Sequence, residues 1–374
     1  MPLTEAELEP LLRLSLVQGV GPQRLSQLLE RFDGAPEAIR ASSSELRSIA
    51  GIGPELARRI QASGTPAARA ESRAALGRLR RLGAVALTPD DPAYPPSFRA
   101  VTEPPYLIFA AGDVSALERP GIAVVGTRSP TRYGRRAAER LGFDLASAGL
   151  VIVSGVARGV DSAAHQGALD AGGGTIGVLG HGIDQVYPPE NQRLFAAIRQ
   201  QGLLLTEYPP GETPKAGNFP RRNRLIVALS QAVLVVEMGH KSGAQHTVGF
   251  AIEQGKDVMA VPGPIESPAS EGTNQLIKDG ARLVASALDV LEELRGVGSA
   301  ATLEPAASPS SATTLPLLSG DEDALMRVLS AEPLHVDELA RDVNVSAAAV
   351  LTTLLHLELR GLVTALPGKR YCRS

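Results

Sequence analysis

The chain has 374 residues, enough for two to four domains, and its 44% hydrophobic and 21% charged residues exclude global disorder. The formal net charge of −3, from 37 basic and 40 acidic residues, does not indicate a strongly basic nucleic-acid-binding protein. The single cysteine, Cys372, excludes an intrachain disulfide framework and a Cys-rich zinc site, and it favours a reducing, cytoplasmic location. We expect neither a secretory signal nor a membrane span, because the N-terminus is acidic and the apolar runs are short.

The first domain, residues 1–79, is predicted to consist of short helices. Two G-x-G-P turns, Gly19–Pro22 and Gly51–Pro54, each precede a helical pattern and resemble helix-hairpin-helix units, so the domain is of the SAM or helix-hairpin-helix kind. In such units the backbone N–H groups at the helix start can hold a phosphate. A small helical bundle with glycine turns and no ligand explains the same pattern, and both interpretations stay open.

Residues 80–295 show a different pattern, in which short apolar runs alternate with amphipathic stretches. The runs are Ile122–Val125, Val151–Val153, Thr175–Leu179, Leu203–Leu205, Val233–Val236 and Val258–Val261. This alternation is typical of right-handed β-α-β units whose helices cover both faces of a parallel sheet. It predicts an α/β domain with a doubly wound, Rossmann-like parallel sheet.

The last part of the chain is predicted to be a flexible linker and a winged helix. Residues 296–318 are rich in Ala, Ser, Thr, Pro and Leu, a composition typical of linkers. In residues 319–374, three helical segments are followed by the β-like Leu362–Leu366, which is the outline of a winged helix. Its candidate recognition helix, Ser346–Leu359, has no Arg or Lys, so we expect weak, non-specific duplex contact or a protein-binding role.

The loops that follow the predicted strands carry the chemistry of phosphate binding. Ligands of open α/β sheets bind at the carboxyl ends of the strands, and there we find Gly126–Arg128, Ser154–Asp161 and Ser242–Gly243. Small residues leave backbone N–H groups accessible at helix starts, and neighbouring arginines supply charge. Neither G-x-G-x-x-G after a strand nor a Walker A motif occurs. The alternative is that the glycines only make tight turns.

Charge and aromatic content predict how such a site would work. Two basic runs, Arg128–Arg136 and Lys215–Arg224, contain no acidic residue, so we expect a local footprint at the strand ends with acidic residues largely elsewhere. Aromatic residues are 3% of the chain, and only Tyr133, Tyr187 and Phe219 are near the loops. We therefore expect phosphate contacts to dominate, with little base selectivity and strong salt dependence.

A set of motifs in order resembles one known family. They are Gly126-Thr127-Arg128 with Tyr133-Gly134, Ser154 to His165, Tyr187-Pro188, Arg222-Asn223-Arg224, Glu237 with Ser242-Gly243, and Val261-Pro262-Gly263 with Gly272 and Asn274. They resemble the DprA/Smf DNA-processing proteins over roughly residues 80–295. The resemblance implies an extended Rossmann fold, sequence-independent single-stranded DNA binding, strand protection in natural transformation, RecA loading, a homodimer, no catalytic activity and no cofactor.

The same resemblance assigns site residues, to which the basic run adds Lys215 and Arg221. The nucleic-acid-binding residues are Gly126, Thr127, Arg128, Ser154, Gly155, Gly159, Arg193, Lys215, Arg221, Arg222, Asn223, Arg224, Ser242 and Gly243. In this set Arg128 is expected to contact a backbone phosphate, and Asn223 to fix loop geometry. Leu276 and Ile277 fall in a segment that the family uses near its dimer contact.

Five other polar residues could suggest catalytic or metal-binding roles, but we favour structural roles for them. Asp161 and His165 are interpreted as a helix cap and a packed histidine rather than an acid–base pair. His240 and His246 lack a carboxylate or cysteine at ligand spacing, so no metal is expected. Glu237, at a strand end, is expected to pair with an arginine or accept from backbone N–H groups.

Two other functions compete with DNA binding by this sheet. The fold variant also resembles the LOG-type nucleotide phosphoribohydrolases, but Glu237–Gly243 departs from their Pro-Gly-Gly-x-Gly-Thr stretch. A transcription regulator acting through the winged helix is disfavoured by the composition of the recognition helix.

Overall fold

Six helices form the N-terminal region of the computed structural model, which describes residues 3–240, 242–296, 320–330, 333–343, 345–359, 362–366 and 368–373. They are α1 (Glu5–Leu16), α2 (Pro22–Phe32), α3 (Ala35–Arg40), α4 (Ser43–Leu46), α5 (Pro54–Ala62) and α6 (Pro66–Leu82). Proline at the first position starts α2, α5 and α6, where its missing N–H costs nothing. Leu12, Leu28 and Ile60 are completely buried between the helices, and each such side chain stabilises the fold by about 1.5–3 kcal/mol.

The two G-x-G-P turns lie beside each other. Gly19 and Gly51 have φ of +99° and +81°, a region that favours glycine. Arg24 Nη1 donates to the Gly19 carbonyl at 2.8 Å, and a side-chain carbon at Gly51 would lie 3.5 Å from Arg24 Nε. Each turn leads directly into the first residue of a helix, α2 or α5, as predicted. Whether either turn holds a phosphate stays a prediction.

Nine strands and seven helices follow in the described residues up to 296. The strands are β1 (Val85–Leu87), β2 (Ile108–Gly112), β3 (Gly121–Val125), β4 (Val151–Ser154), β5 (Thr175–Val178), β6 (Leu203–Thr206), β7 (Ala232–Val235), β8 (Asp257–Ala260) and β9 (Arg282–Leu283). The helices are α7 (Arg132–Ser147), α8 (Val160–Asp170), α9 (Gln192–Gln201), α10 (Asn218–Ala228), α11 (Ala244–Glu253), α12 (Glu271–Lys278) and α13 (Ala287–Gly296).

These strands form one sheet in the order β1-β2-β6-β5-β4-β3-β7-β8-β9. From β6 to β9 all neighbours are parallel, which confirms the predicted doubly wound α/β fold. The chain runs from β3 to β6 on one side and returns to β7 on the other side of β3, so β3 marks the switch point. The prediction missed β1 and β2, an antiparallel edge that flanks the Pro-rich segment 89–105.

Side chains of the central strands alternate between two cores. Ile122 and Val124 pack with residues of α7, α8 and α13, and Ala123 and Val125 pack with residues of α10 and α11. Because both faces are covered, these strands are apolar without interruption. A third cluster joins the N-terminal helices to Phe109 of β2 and to α9, and accordingly Met1–Ala306 forms one compact unit.

The second compact unit is Ala307–Ser374, and its described residues form the predicted winged helix. Its elements are α14 (Gly320–Val328), β10 (Leu334–His335), α15 (Val336–Asp342), α16 (Ala347–Leu359), β11 (Val363–Leu366) and β12 (Arg370–Arg373). The strands pair antiparallel in the order β10-β12-β11. Leu325, Leu339 and Leu354 form part of the core.

The predicted linker 296–318 lies, after its first residue, outside the described residues. Among the helices described, none has both the length and the apolar character needed to cross a membrane.

Candidate nucleic-acid interface

A cleft of about 590 Å³, here called the strand-end cleft, opens at the carboxyl ends of β3 and β7. Its walls come from the loops after β3, β4 and β7 and from the first turn of α10. This is the switch point of the sheet, where adjacent loops diverge and leave room for a ligand. The predicted site residues that line it are Gly126, Thr127, Arg128, Arg222, Asn223, Ser242 and Gly243.

An exposed arginine and two aromatic rings form one side of the cleft. The Arg128 guanidinium lies 5.8 Å from the centroid of the Phe219 ring, and that ring lies 5.4 Å from Tyr187 at a tilt of 30°. Tyr187 is 37% exposed. Tyr133, the third aromatic candidate, instead donates its hydroxyl to the Pro262 carbonyl at 2.7 Å and does not line the cleft. A cation beside stacked rings suits a phosphate with an unpaired base.

The loop after β3 is fixed by a buried carboxylate. Glu237 accepts from both the backbone N–H and the hydroxyl of Thr131 at 2.7 Å, and its carbonyl accepts from Thr127 N at 2.7 Å. Glu237 is 2% exposed, and a side chain at Gly134 would collide with its carboxylate. A protein carboxylate therefore occupies the anion position at the start of α7, where Rossmann proteins hold a ligand phosphate. The interpretation that Glu237 accepts from a backbone N–H group is confirmed.

The loop after β4 is fixed in the same way. Asp161 Oδ2 accepts from the N–H groups of Gly155 at 3.1 Å and Ala157 at 3.3 Å. Between them Val156 has φ of +54°, a strained conformation for a β-branched residue. Its carbonyl accepts from Asn191 Nδ2 at 3.0 Å. The inward N–H of Gly155 is therefore already engaged, and the loop presents Arg158 to solvent.

The other two predicted residues of this loop are packed against their neighbours. Ser154 is completely buried and donates to the Val124 carbonyl at 2.6 Å. Gly159 has φ of +81°, and a side chain there would meet Pro130 Cδ at 2.7 Å. These contacts hold the loop against the one after β3, so neither residue lines the cleft.

The predicted arginines of α10 are mostly internal. Arg222, at the floor of the cleft, donates to the carbonyls of Gly155, at 3.0 Å, and Val178. Burial lowers its pKa to about 10, so it stays charged at neutral pH. Arg224 makes a two-pronged pair with Glu207 at 2.6 and 2.8 Å, and the two side chains are 3% and 2% exposed. Its donors are thus used inside the protein.

The remaining polar residue of the motif joins two helices. Asn223 Nδ2 donates to Thr247 Oγ1 of α11 at 2.9 Å. At the start of α11, Ser242 Oγ accepts from Ala244 N at 3.3 Å, and a side chain at Gly243 would meet nothing within 4 Å. Gly243 is thus the most open backbone among the glycines predicted to bind DNA.

The basic run Lys215–Arg224 is not free of acidic partners. Lys215 pairs with Glu212 at 2.6 Å and Arg221 pairs with Glu103 at 2.5 Å. The expectation that acidic residues lie largely elsewhere is wrong here, because Glu212 stands three residues before Lys215 and the fold brings Glu103 from a distant segment to Arg221. Lys215 and Arg221 line a second cleft, of about 610 Å³, between the first G-x-G-P turn and the start of α10. Arg193 is exposed on the first turn of α9 and lines neither cleft.

The buried histidine of α8 has a structural role. His165 is completely buried, and its Nδ1 lies 2.6 Å from Thr175 Oγ1. Burial lowers its pKa to about 3, so the ring is neutral at neutral pH. The packed-histidine interpretation is confirmed. His246 lines the strand-end cleft, and within the described residues no three metal-ligating side chains cluster.

The predicted dimer residues lie on α12. Leu276 and Ile277 are partly buried, and Leu276 lines a groove of about 530 Å³ between α11 and α12. Met238 and Val248 supply apolar surface in the same groove. On α11, Ile252 is 71% exposed. The role of this groove stays a prediction.

Sequence comparison identifies the family. The profile described as DNA recombination-mediator protein A matches residues 85–295, more than half of the chain, and the DprA winged helix domain profile matches residues 305–369. The chain belongs to the DprA/Smf family of DNA-processing proteins. The predicted resemblance is thereby confirmed. Protein Smf of Synechocystis sp. is 34% identical over 96% of this chain and 97% of its own length.

Two solved structures of DprA proteins resemble this one. DNA processing protein A from Streptococcus pneumoniae matches with a TM-score of 0.66 and 34% identity over 78% of this chain and 99% of that one. DNA processing protein A from Helicobacter pylori, described for its single-stranded DNA binding mode, matches with a TM-score of 0.52 and 33% identity. That match covers 57% of this chain and 96% of the H. pylori chain.

Sequence reasoning missed one exposed cation of the DprA fold. Arg158 follows Ala157, which lines the strand-end cleft, and its guanidinium pairs with Glu190. Arg158 stands in the loop Ser154–Asp161, whose small residues are the ones predicted to bind DNA. The signal in the sequence is an arginine directly before a glycine of that loop, a combination of cation and small residue that favours phosphate binding.

Proposed function

We propose that the protein binds single-stranded DNA in the strand-end cleft, mainly through the sugar-phosphate backbone. The observation that carries the proposal is the position of exposed Arg128 beside the Phe219 and Tyr187 rings at the switch point of the sheet. The guanidinium supplies charge for a phosphate, and the rings supply a surface for any base. The described binding mode of the H. pylori relative supports the same ligand.

Within this proposal the predicted residues divide into two groups. Arg128, Thr127, Ser242 and Gly243 face the cleft and contact the strand. The buried arginines Arg222 and Arg224, with the residues of the β4 loop, instead hold the walls of the cleft in place. Neither group reads base edges, so we expect little sequence selectivity.

The geometry favours this function over nucleotide hydrolysis. Glu237 and Asp161 fill the positions where the first two loops would otherwise hold the phosphate of a small nucleotide. A polymer that lies across the rim does not need those positions. We therefore expect incubation with nucleoside monophosphates to release no free base.

The cellular role that we propose is that of a recombination mediator in natural transformation. The strand held in the cleft would be protected and passed to the RecA recombinase in the cytoplasm. The test is RecA filament formation on single strands already covered by a single-strand-binding protein. We expect this protein to accelerate it and Arg128→Ala to abolish the acceleration. Equal rates with and without the protein would refute the mediator role.

We also propose a homodimer through the groove between α11 and α12. Apolar Leu276 lies in this groove, and Ile252 exposes further apolar surface on α11. We expect Leu276→Glu to give a monomer by light scattering, whereas Leu288→Glu, on an exposed part of α13, leaves the dimer intact. A dimer that survives Leu276→Glu excludes this groove as the interface.

The binding proposal is tested by fluorescence anisotropy with oligothymidine, a mixed single strand and the matching duplex. We expect both single strands to bind alike and better than the duplex, to which the winged helix adds only weak contact. Arg128→Ala should weaken both single strands equally, whereas Arg135→Ala, on the exposed face of α7, should not. A loss for one sequence only, or a preference for duplex, would contradict the proposal.

A further inference from the structure

Two exposed arginines that adjoin residues of the strand-end cleft in sequence are each held by a carboxylate from another segment. Arg158 pairs with Glu190, and the two side chains are 51% and 52% exposed. Arg221 pairs with Glu103 at 2.5 Å, and these side chains are 42% and 39% exposed. In sequence, Arg158 follows Ala157 and Arg221 stands between Pro220 and Arg222, all of which line the strand-end cleft, and Arg221 itself lines the second cleft.

Glu103 is held in place by a buried residue of α10, the helix that also carries Arg221. Its φ is +56°, a conformation that side-chain-bearing residues rarely adopt. Arg224 stabilises it, because Arg224 Nη2 donates to the Glu103 carbonyl at 2.9 Å and Nε donates to the Thr102 carbonyl at 3.1 Å. One α10 arginine thus fixes the backbone of Glu103 while another receives its carboxylate. A strained residue held by its surroundings indicates a function for its side chain.

Glu190 is held in a similar manner. The next residue, Asn191, donates to the carbonyl of Val156 at 3.0 Å and to Ser162 Oγ at 2.9 Å. These bonds tie the segment of Glu190 to the strained loop that carries Arg158. The hydrogen bond from Arg158 also lowers the pKa of Glu190, so the carboxylate is charged at neutral pH.

We infer that Glu103 and Glu190 are internal competitors of DNA phosphate that set the affinity and the release of the bound strand. This inference rests on the proposed single-stranded DNA binding. An exposed ion pair contributes little net stability, so each arginine can exchange its carboxylate for a phosphate at small cost. The phosphate offers the same two-pronged acceptor geometry as the carboxylate. When the strand leaves, the carboxylate reoccupies the arginine.

The test is a pair of double-mutant cycles on the affinity for single-stranded oligothymidine at low salt. We expect Glu103→Gln and Glu190→Gln each to raise affinity roughly two- to fivefold, the range of an exposed ion pair. Glu103→Gln should have no effect in the Arg221→Ala background, nor Glu190→Gln in the Arg158→Ala background. Glu37→Gln is the matched control, because Glu37 makes an exposed pair of 2.5 Å with Arg40 away from both clefts.

The outcomes separate the inference from the function on which it rests. If the wild-type protein does not bind the oligonucleotide, the proposed function fails. If it binds and neither glutamine variant gains affinity, the competitor role is wrong. If the gains persist after the arginines are removed, the carboxylates act only by general repulsion, and the inference is again overturned. Thermal melting of each variant checks that the fold is intact. Because the two pairs lie in separate segments, a misfolded variant in one cycle leaves the other cycle decisive.

Discussion

The floor and the rim of the strand-end cleft use the same side chain in opposite ways. Arg222 at the floor and the buried Arg224 use their donors on carbonyls and on a buried carboxylate. Arg128 at the rim reaches solvent, and so do Arg158 and Arg221, of which Arg221 lines the second cleft. The difference is one of burial, because a desolvated guanidinium must be satisfied by the protein, whereas a solvated one can exchange partners. Basic residues in one short motif therefore divide into buried ones, which support the fold, and exposed ones, which form the binding surface.

The largest effect that separates the buried arginines from the exposed ones is on stability. Arg224→Ala leaves Glu207 buried without a partner, so we expect the free energy of unfolding to fall by about 3–5 kcal/mol. Arg221→Ala removes an exposed pair and should change it by less than about 1 kcal/mol. Urea unfolding of the two variants is the measurement. Equal stabilities would remove the distinction between buried and exposed arginines.

The next effect concerns the aromatic surface of the rim. Phe219→Ala removes the ring beside Arg128 and Tyr187, and we expect single-stranded DNA affinity to fall by about 1–3 kcal/mol, the range for one stacked base. Tyr133→Phe is the control, since that hydroxyl bonds to Pro262 outside the cleft. Equal affinities of the two variants for single-stranded DNA in anisotropy titrations would contradict a role of the Phe219 ring in binding.

A smaller effect tests the buried core behind the floor. Because the pKa of His165 is about 3 in the folded protein and 6.5 ordinarily, the unfolded chain takes up a proton first as pH falls. The contribution of neutral, buried His165 to the free energy of unfolding is complete above pH 6.5. It is lost between pH 6.5 and 3, at up to about 1.4 kcal/mol per pH unit. Between about pH 7 and 5.5 the wild type should lose about 1 kcal/mol more than His165→Gln. If urea unfolding gave parallel pH profiles for the wild type and His165→Gln, the prediction would be contradicted, because His165 would then titrate normally in the folded protein.

The sequence predicts burial well wherever burial produces a local pattern of apolar residues. The central strands could be predicted because strands covered on both faces are apolar throughout, whereas the short β1 beside the Pro-rich segment 89–105 gave no comparable signal. In α10, Arg222 precedes Leu225 and Ile226 by three and four positions, which already places it on the buried face.

The partners of the cationic residues could not be predicted in this way. Arg221 and Arg224 are matched by Glu103 and Glu207, which stand well before α10 in the chain. Only the tertiary fold brings these carboxylates together with the helix, so the local run looked purely basic. The same limit hid which loop N–H groups Glu237 and Asp161 accept from.

The most direct test of the account is the salt dependence of single-stranded DNA affinity for the wild type and Arg128→Ala. If Arg128 neutralises one phosphate from the rim, the variant should bind more weakly at every salt concentration, and the slope of log affinity against log salt should fall in magnitude by about 0.7. The Arg135→Ala control should keep the wild-type slope. An Arg128→Ala variant with wild-type affinity and slope would contradict binding of the strand in this cleft.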